Sequence, residues 1–232
     1  MTPLRPAAEL AALASRPYPN ESPAYRAART ALLAEEIELR RHAERVAALR
    51  RALPPGAEVP QDYEFIAEDG ARVRLSALFG RHDTLVTFFW MFGAKRERPC
   101  PMCTAFVGSL EIPARDLGQH LALAIIGGAP IERQAAFKRE RGWRNLNVYA
   151  TTSDAFARDY RGLSPDGEDW GSLNVFTRKD GVIRRFWGDE MDEATADPGQ
   201  DQRGTPEVAP VWSILDITPT GRPAHWYPKL EY

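Results

Sequence analysis

The run TLVTFFWMF at positions 84–92 is apolar or β-branched throughout, with no charge and no period-two alternation. A strand that shows one face to water alternates; a strand covered on both faces does not. This stretch therefore predicts a central strand buried on both sides, which requires helices on both faces of the sheet and makes the chain α/β. HLALAIIGG (120–128) and LNVYA (146–150) supply two more strands of similar kind, with IERQAAFKRERGW (131–143) between them as a helix.

The flanking segments complete the pattern. DYEFIAEDGARVRLSALFG (62–80) reads as two short strands around an Asp-Gly turn, followed by a helical turn capped by Ser76. SLNVFTRKDGVIRRFW (172–187) is a hairpin signal, because Lys179-Asp180-Gly181 separates two β-branched runs and Asp-Gly tolerates the positive φ of a tight turn. Ser153 is placed to cap a short helix ending near Tyr160, and residues 189–210, acidic and rich in Pro and Gly, read as an excursion. The ending WSILDITPTGRPAHWYPKLEY (212–232) returns to apolar and aromatic residues that should pack back on the body.

Ahead of this domain, residues 1–21 hold four prolines and read as an irregular arm. Ser22 as N-cap and Pro23 at the first helical position open a helix of about thirty residues, which Pro54-Pro55-Gly56 ends. Tyr25, Leu32, Leu39, Val46 and Leu53 recur every seven residues along it, a narrow seam suited to docking on the following domain or to pairing with a second copy of the chain. The expected organisation is an N-terminal arm and long helix over 1–56 and one α/β domain with a C-terminal extension over 57–232.

Composition removes several classes of function. A formal charge of −2 over 232 residues, without a polybasic or polyacidic tail, gives no one-signed field for nucleic acid. No apolar run reaches about 18 residues, so no membrane span is expected. The alanine-rich stretch near the N-terminus is interrupted by Glu9 and is a poor secretory signal, and a cytoplasmic location is expected.

The chemistry-bearing feature is RPCPMCTAF (98–106), which contains both cysteines of the chain, Cys100 and Cys103. Two cysteines placed at random in this length would fall three apart only about one time in a hundred, so the spacing carries information. With Pro101 at the first helical position, Cys100 is the N-cap, where free amides and the helix dipole favour a thiolate. Lys95, Arg96 and Arg98 add positive charge, partly offset by Glu97. Cys103 falls one turn into the helix, within reach of a mixed disulfide on Cys100 and more shielded from solvent.

Metal ligation is the weaker reading, since a tetrahedral site needs four ligands and the histidines His42, His82, His120 and His225 are scattered. No cofactor and no metal are expected. A shared four-cysteine site across a dimer, or a copper site completed by one distant histidine, stays open beside an inert pair.

The order of a strand pair, TLVTFFW, CPMC and FTRKDGVI resembles the framework of thioredoxin-like thiol oxidoreductases and peroxiredoxins. EIELRRHAERVAALRRALPPG, the MFG before the cysteines, CPMCT, FKRERGW, SDAFARDY and LDITPTGR together resemble a bacterial thioredoxin-like family catalogued as domain of unknown function 899, over residues 22–232.

The resemblance implies a thioredoxin-like mixed sheet flanked by helices, in its peroxiredoxin-like variant, with a long N-terminal helix and an irregular C-terminal extension. The family has no settled activity; it is the helix-start placement of the pair after a buried central strand that points to thiol–disulfide exchange, with Cys100 as nucleophile and Cys103 as resolving thiol, acting on a protein or small-molecule thiol or disulfide. Thiol peroxidase chemistry on Cys100 and a non-catalytic, metal-binding role on the same fold are the alternatives. Two positions depart from the better-known relatives. Glu97 stands where peroxiredoxins carry threonine three residues before the reactive cysteine, and Gly171-Ser172-Leu173 occupies the place of the thioredoxin cis-proline. An arginine of the peroxiredoxin kind could come from Arg141 or Arg144, although the charge run 138–141 reads first as a solvated helix face.

Overall fold

The structure is a computed structural model that describes residues 4–190, 193–197, 209–221, 223 and 226–231. The chain divides into two compact units, Met1–Pro54 and Pro55–Tyr232.

The first unit is a helical pair. α2 (Pro23–Arg51) begins as expected, with the Ser22 hydroxyl accepting from the Tyr25 amide at 3.1 Å and Pro23 in the first turn. The arm before it is not wholly irregular, because Ala7–Ala14 forms α1, with Ala7 and Ala11 buried. Alanine has the highest helix propensity, and its short side chain lets α1 lie close against α2. The turn between them is fixed by Glu21, whose carboxylate accepts from Arg26 and Arg29, and by a 2.6 Å bond between the Ser15 and Thr30 hydroxyls. Tyr25, Leu32, Leu39 and Leu53 of the heptad seam are exposed.

The second unit is built on one seven-stranded mixed sheet in the order β2-β1-β5-β4-β3-β6-β7. The strands are β1 (Glu64–Ile66), β2 (Arg72–Arg74), β3 (Thr84–Trp90), β4 (Ala122–Gly127), β5 (Val148–Thr151), β6 (Ser172–Lys179) and β7 (Val182–Gly188). β3, β4 and β5 run parallel; β6 pairs antiparallel with β3 and β7 with β6 on one side, and β1 pairs antiparallel with β5 and β2 with β1 on the other. The helices are α3 (Leu75–Leu78), α4 (Pro101–Leu110), α5 (Ala114–Leu117), α6 (Ile131–Glu140), α7 (Ala155–Asp159) and α8 (Pro210–Asp216). A parallel β3-α4-β4-α6-β5 core closed by an antiparallel β6-β7 hairpin is the thioredoxin-like arrangement.

The unbroken apolar runs now have their physical account. On β3, Phe88 and Trp90 enter one hydrophobic core, with Phe106, Ile125, Phe137, Trp143 and Val148, while Leu85 and Phe89 enter the other, with Phe65, Ile126, Phe156 and Phe176. Successive side chains point to opposite faces, so a strand buried on both has no position for a charge and is filled by apolar or β-branched residues, the buried Thr87 included. Each large side chain so buried contributes about 1.5–3 kcal/mol relative to exposure.

Several local readings are refined. Ser76 is not an N-cap; it lies inside α3, and its amide and hydroxyl both donate to the Asp62 carboxylate, at 2.9 and 2.6 Å. The helix after the cysteines ends at Leu110 and resumes as α5 behind Pro113, because a proline cannot continue the hydrogen-bond ladder. α7 starts after Asp154, with the Ser153 hydroxyl accepting weakly from Ala155 at 3.4 Å. The hairpin turn is as expected, with positive φ at Asp180 (52°) and Gly181 (78°).

In the acidic excursion, Glu193–Thr195 forms a short 3-10 turn, and residues 191–192 and 198–208 lie outside the described residues. The C-terminal segment does pack back, with Trp212 buried and its ring 5.9 Å from that of Trp226. His225 lies outside the described residues.

Candidate functional site

The two cysteines stand at the carboxyl end of β3, at the start of α4. Cys100 is the N-cap residue, Pro101 the first helical residue, and both cysteines are free thiols. The cap is held by backbone and side chain together. The Cys100 amide donates to the Met91 carbonyl at 2.9 Å, and the Cys100 carbonyl accepts from the Thr104 amide at 2.9 Å and from the Thr104 hydroxyl at 2.8 Å. The same hydroxyl accepts from the indole N–H of the fully buried Trp90 at 3.3 Å.

This placement makes the thiols unequal. Cys100 is half-buried, whereas Cys103 is 6% exposed and belongs to the core cluster of Phe106 and Trp90. The Cys100 thiol is pulled down to about 6, first by the hydrogen bond from Cys103, against the opposing effect of burial, and then by the Cys103 and Met102 amides and the Arg96 charge. Cys103 is pushed well above the ordinary thiol range, because its proton is held in the bond to Cys100 and burial disfavours its charge. Open amides at a helix start stabilise an anion in this position.

Two loops frame the pair. The first, 93–99, precedes Cys100. Its Gly93 amide donates to the Asp169 carboxylate at 2.8 Å, and the Arg96 Nε donates to the same oxygen at 3.0 Å. From α6, the Arg133 guanidinium donates to the carbonyls of Ala94 (3.2 Å), Arg96 and Glu97 (3.0 Å) while lying over the Phe92 ring.

The second loop, 161–171, carries Asp169 and ends on Gly171. A Cβ on Gly171 would lie 3.1 Å from the Cys103 sulfur, so the bare backbone of this residue closes over the buried thiol. Trp170, between Asp169 and Gly171, is 45% exposed, and its amide donates to the Gly162 carbonyl at 2.9 Å.

Of the groups expected around the site, Cys100 and Cys103 are brought together, and Arg96 reaches the second loop through Asp169. Arg98 is turned away, paired bidentately with Glu140 and with Glu231. Arg139, Glu140 and Arg141 of the 138–141 charge run are exposed, as expected of a solvated face, while Lys138 pairs with Glu68 at 2.7 Å and Arg141 also donates to the Leu230 carbonyl. The arginine that meets the cysteine loop is Arg133, not Arg141 or Arg144. Among the described residues, no three His, Cys, Asp or Glu side chains come together in a way that could hold a metal ion.

Asp169, Arg133 and Thr104 were not singled out in the sequence. Asp169 is one of three acids in SPDGEDWGS, with nothing local to mark it, and its partners lie 73 and 76 residues away. Thr104 carried the only legible signal, a hydroxyl directly after the second cysteine on a helical face next to Cys100.

Among solved structures, the chain is similar to a peroxiredoxin-like protein from Aquifex aeolicus, with 14% identity, TM-score 0.45, and coverage of 67% of this chain and 86% of that one. It is also similar to PrxQ from Xylella fastidiosa, with 8% identity, TM-score 0.48, and coverage of 59% and 84%. The exposed lipoprotein thioredoxin Etrx1 from Streptococcus pneumoniae follows with 18% identity, TM-score 0.40, and coverage of 54% and 87%. No curated protein matches the chain. The family model described as bacterial protein of unknown function (DUF899) matches residues 15–232, nearly the whole chain, and the chain belongs to that family.

Proposed function

We propose that the protein is a thiol–disulfide oxidoreductase in which Cys100 is the nucleophile and Cys103 the resolving thiol. The observation that carries this reading is the inequality of the two sulfurs: one half-exposed at a helix N-cap with its thiol near 6, the other buried one turn later and hydrogen-bonded to it. At pH 7 a thiol near 6 is roughly nine-tenths thiolate, the form that attacks.

The exchange then runs in two steps. The Cys100 thiolate attacks one sulfur of a substrate disulfide, forming a mixed disulfide and releasing the other substrate sulfur as a thiolate. Cys103 loses its proton and attacks the Cys100 sulfur, closing the Cys100–Cys103 disulfide and releasing the second substrate sulfur. The substrate gains two electrons, and its two released sulfurs take up the Cys103 proton and one from water, while the pair, which began as one thiolate and one thiol, loses two electrons and that one proton. The substrate is a protein or small-molecule disulfide, and the run is reversible.

Three measurements test this. Alkylation of the reduced protein at neutral pH should modify Cys100 far faster than an ordinary cysteine, and mild oxidation should close the Cys100–Cys103 disulfide within one chain. Cys103→Ser should accumulate the mixed disulfide on Cys100. An ordinary alkylation rate together with failure to form that disulfide would sink the reading. Fast, stoichiometric oxidation of Cys100 by peroxide would favour a thiol peroxidase, and stoichiometric zinc or copper on protein purified without chelator would favour a metal-binding role.

A further inference from the structure

The dithiol has an ion pair built into its frame. Arg96 lies four residues before Cys100, on a loop pinned at both ends: the Gly93 amide is bonded to Asp169 and the Cys100 amide to the Met91 carbonyl. Arg133 fixes the middle of that loop through three of its carbonyls. Asp169 in turn lies two residues before Gly171, whose backbone abuts the Cys103 sulfur.

The Arg96–Asp169 pair is therefore bracketed by contacts to both cysteines. The Asp169 carboxylate also lies close against the loop, since a Cβ on Gly93 would sit 2.3 and 2.4 Å from its two oxygens, so the loop can admit this carboxylate only because residue 93 is glycine. The Asp169 side chain is 14% exposed and that of Arg96 37%, so the pair is partly withdrawn from water while the guanidinium keeps an open side.

We propose that Arg96 and Asp169 are a positioning pair that tunes the reactivity of the dithiol: Asp169 fixes the guanidinium on the loop that leads into Cys100 and offsets part of its charge. The inference rests on the thiol–disulfide reading and gives that site a tuning element. A guanidinium favours the thiolate and with it the reduced form, while the carboxylate opposes this at longer range. The Arg96 charge bears on both Cys100 and Cys103. The other ionisable groups close in the chain are Lys95, which is exposed, Glu97, whose carbonyl binds Arg133, and Arg98, which is paired with Glu140 and Glu231.

The test compares Arg96→Gln, Arg96→Lys, Asp169→Asn and the double variant Arg96→Gln/Asp169→Asn with the parent chain. The first readout is the pH profile of Cys100 alkylation by iodoacetamide. The second is the equilibrium with glutathione, in which two glutathione thiols become one glutathione disulfide as the Cys100–Cys103 disulfide is reduced. Arg96→Gln should move the alkylation midpoint to higher pH, slow alkylation at pH 6 by up to about threefold, and shift the equilibrium toward the protein disulfide. Arg96→Lys should recover part of the rate.

Asp169→Asn keeps an oxygen able to accept from Gly93 and Arg96 but removes the negative charge, so its midpoint should move to lower pH. The double variant should return toward the parent value. Opposite signs for the two single variants are what a merely structural pair would not give. An Arg96→Gln profile superimposable on the parent, or single variants that move the midpoint the same way, would overturn the proposal. Failure of the parent chain to form the disulfide at any glutathione ratio would remove the redox reading instead, and the alkylation profiles would still decide on the pair.

Discussion

Replacing Gly93 with alanine tests how tightly the two site loops are locked together. The φ of Gly93 is not in the left-handed region, so alanine meets no backbone strain there, and the cost comes from the added methyl group. That methyl would lie 2.3 and 2.4 Å from the Asp169 oxygens and 2.7 Å from their carbon. To regain ordinary contact the carboxylate must retreat by about 1 Å, which carries the 2.8 Å bond from the Gly93 amide beyond hydrogen-bond range. The 3.0 Å bond from Arg96 is disturbed with it.

A hydrogen bond to a charged group contributes about 1.5–3 kcal/mol, and an ion pair as exposed as Arg96–Asp169 adds about 0.5–1 kcal/mol. Against this, alanine reduces the freedom of the unfolded chain and recovers about 0.4–1 kcal/mol. The expected net loss is about 1–3 kcal/mol, or a fall in Tm of roughly 2–12 °C for a chain of this size. Urea unfolding followed by tryptophan fluorescence would measure it.

The decisive comparison is made in an Asp169→Ala background, where no carboxylate remains to collide. There Gly93→Ala should cost less than about 0.5 kcal/mol, giving a coupling between the two sites of about 1–3 kcal/mol. An equal cost in both backgrounds would show that the methyl group meets something other than Asp169, and the loop geometry argued above would be wrong.

Thr104→Val keeps the shape of a buried side chain but strips the acceptor from the Trp90 indole, and an unpaired buried N–H of that kind costs about 1–3 kcal/mol; a urea midpoint equal to that of the parent would contradict the bridge. The reduced protein should also show a sulfur-dependent stability profile. The native pKa of Cys100, about 6, lies below the ordinary thiol value of 9.0, so its stabilisation is fully present above pH 9 and is lost as pH falls through 6. Cys103 is shifted the other way, so its effect has the opposite sign and removes stability as pH rises above 9. Cys100→Ser should flatten the rise in urea midpoint between pH 6 and 9; a rise of unchanged size would mean that the thiolate is not favoured by the native state.

What was legible in the sequence follows from how local each cause is. β3 and β4 could be read because burial on two faces demands an unbroken apolar run, and the β6–β7 turn because Asp180-Gly181 carries its own conformational preference. α1 could not, because a run of alanines has little periodicity and acquires a buried face only when packed on α2. The cysteines stood out because Pro101 marks a helix start beside two rare residues. Asp169, Arg133 and their loop were hidden, since an ion pair across 73 residues and a guanidinium bonded to backbone carbonyls across 36 to 39 leave no mark in either segment.

These contacts share one origin, the last turn of chain at the carboxyl end of β3. Trp90 holds Thr104, the Met91 carbonyl takes the Cys100 amide, and the Gly93 amide takes Asp169. Reactive groups in open α/β sheets collect at the carboxyl ends of parallel strands, where helix N-termini also point. Here the strand end does more than present the cysteines, because four consecutive residues of a rigid core fix the helix cap, the buried thiol's neighbour and the cationic loop at once. Side chains of the two loops, Arg96 and Asp169 among them, are therefore the places where the charge near the dithiol can change while this stretch of backbone stays fixed.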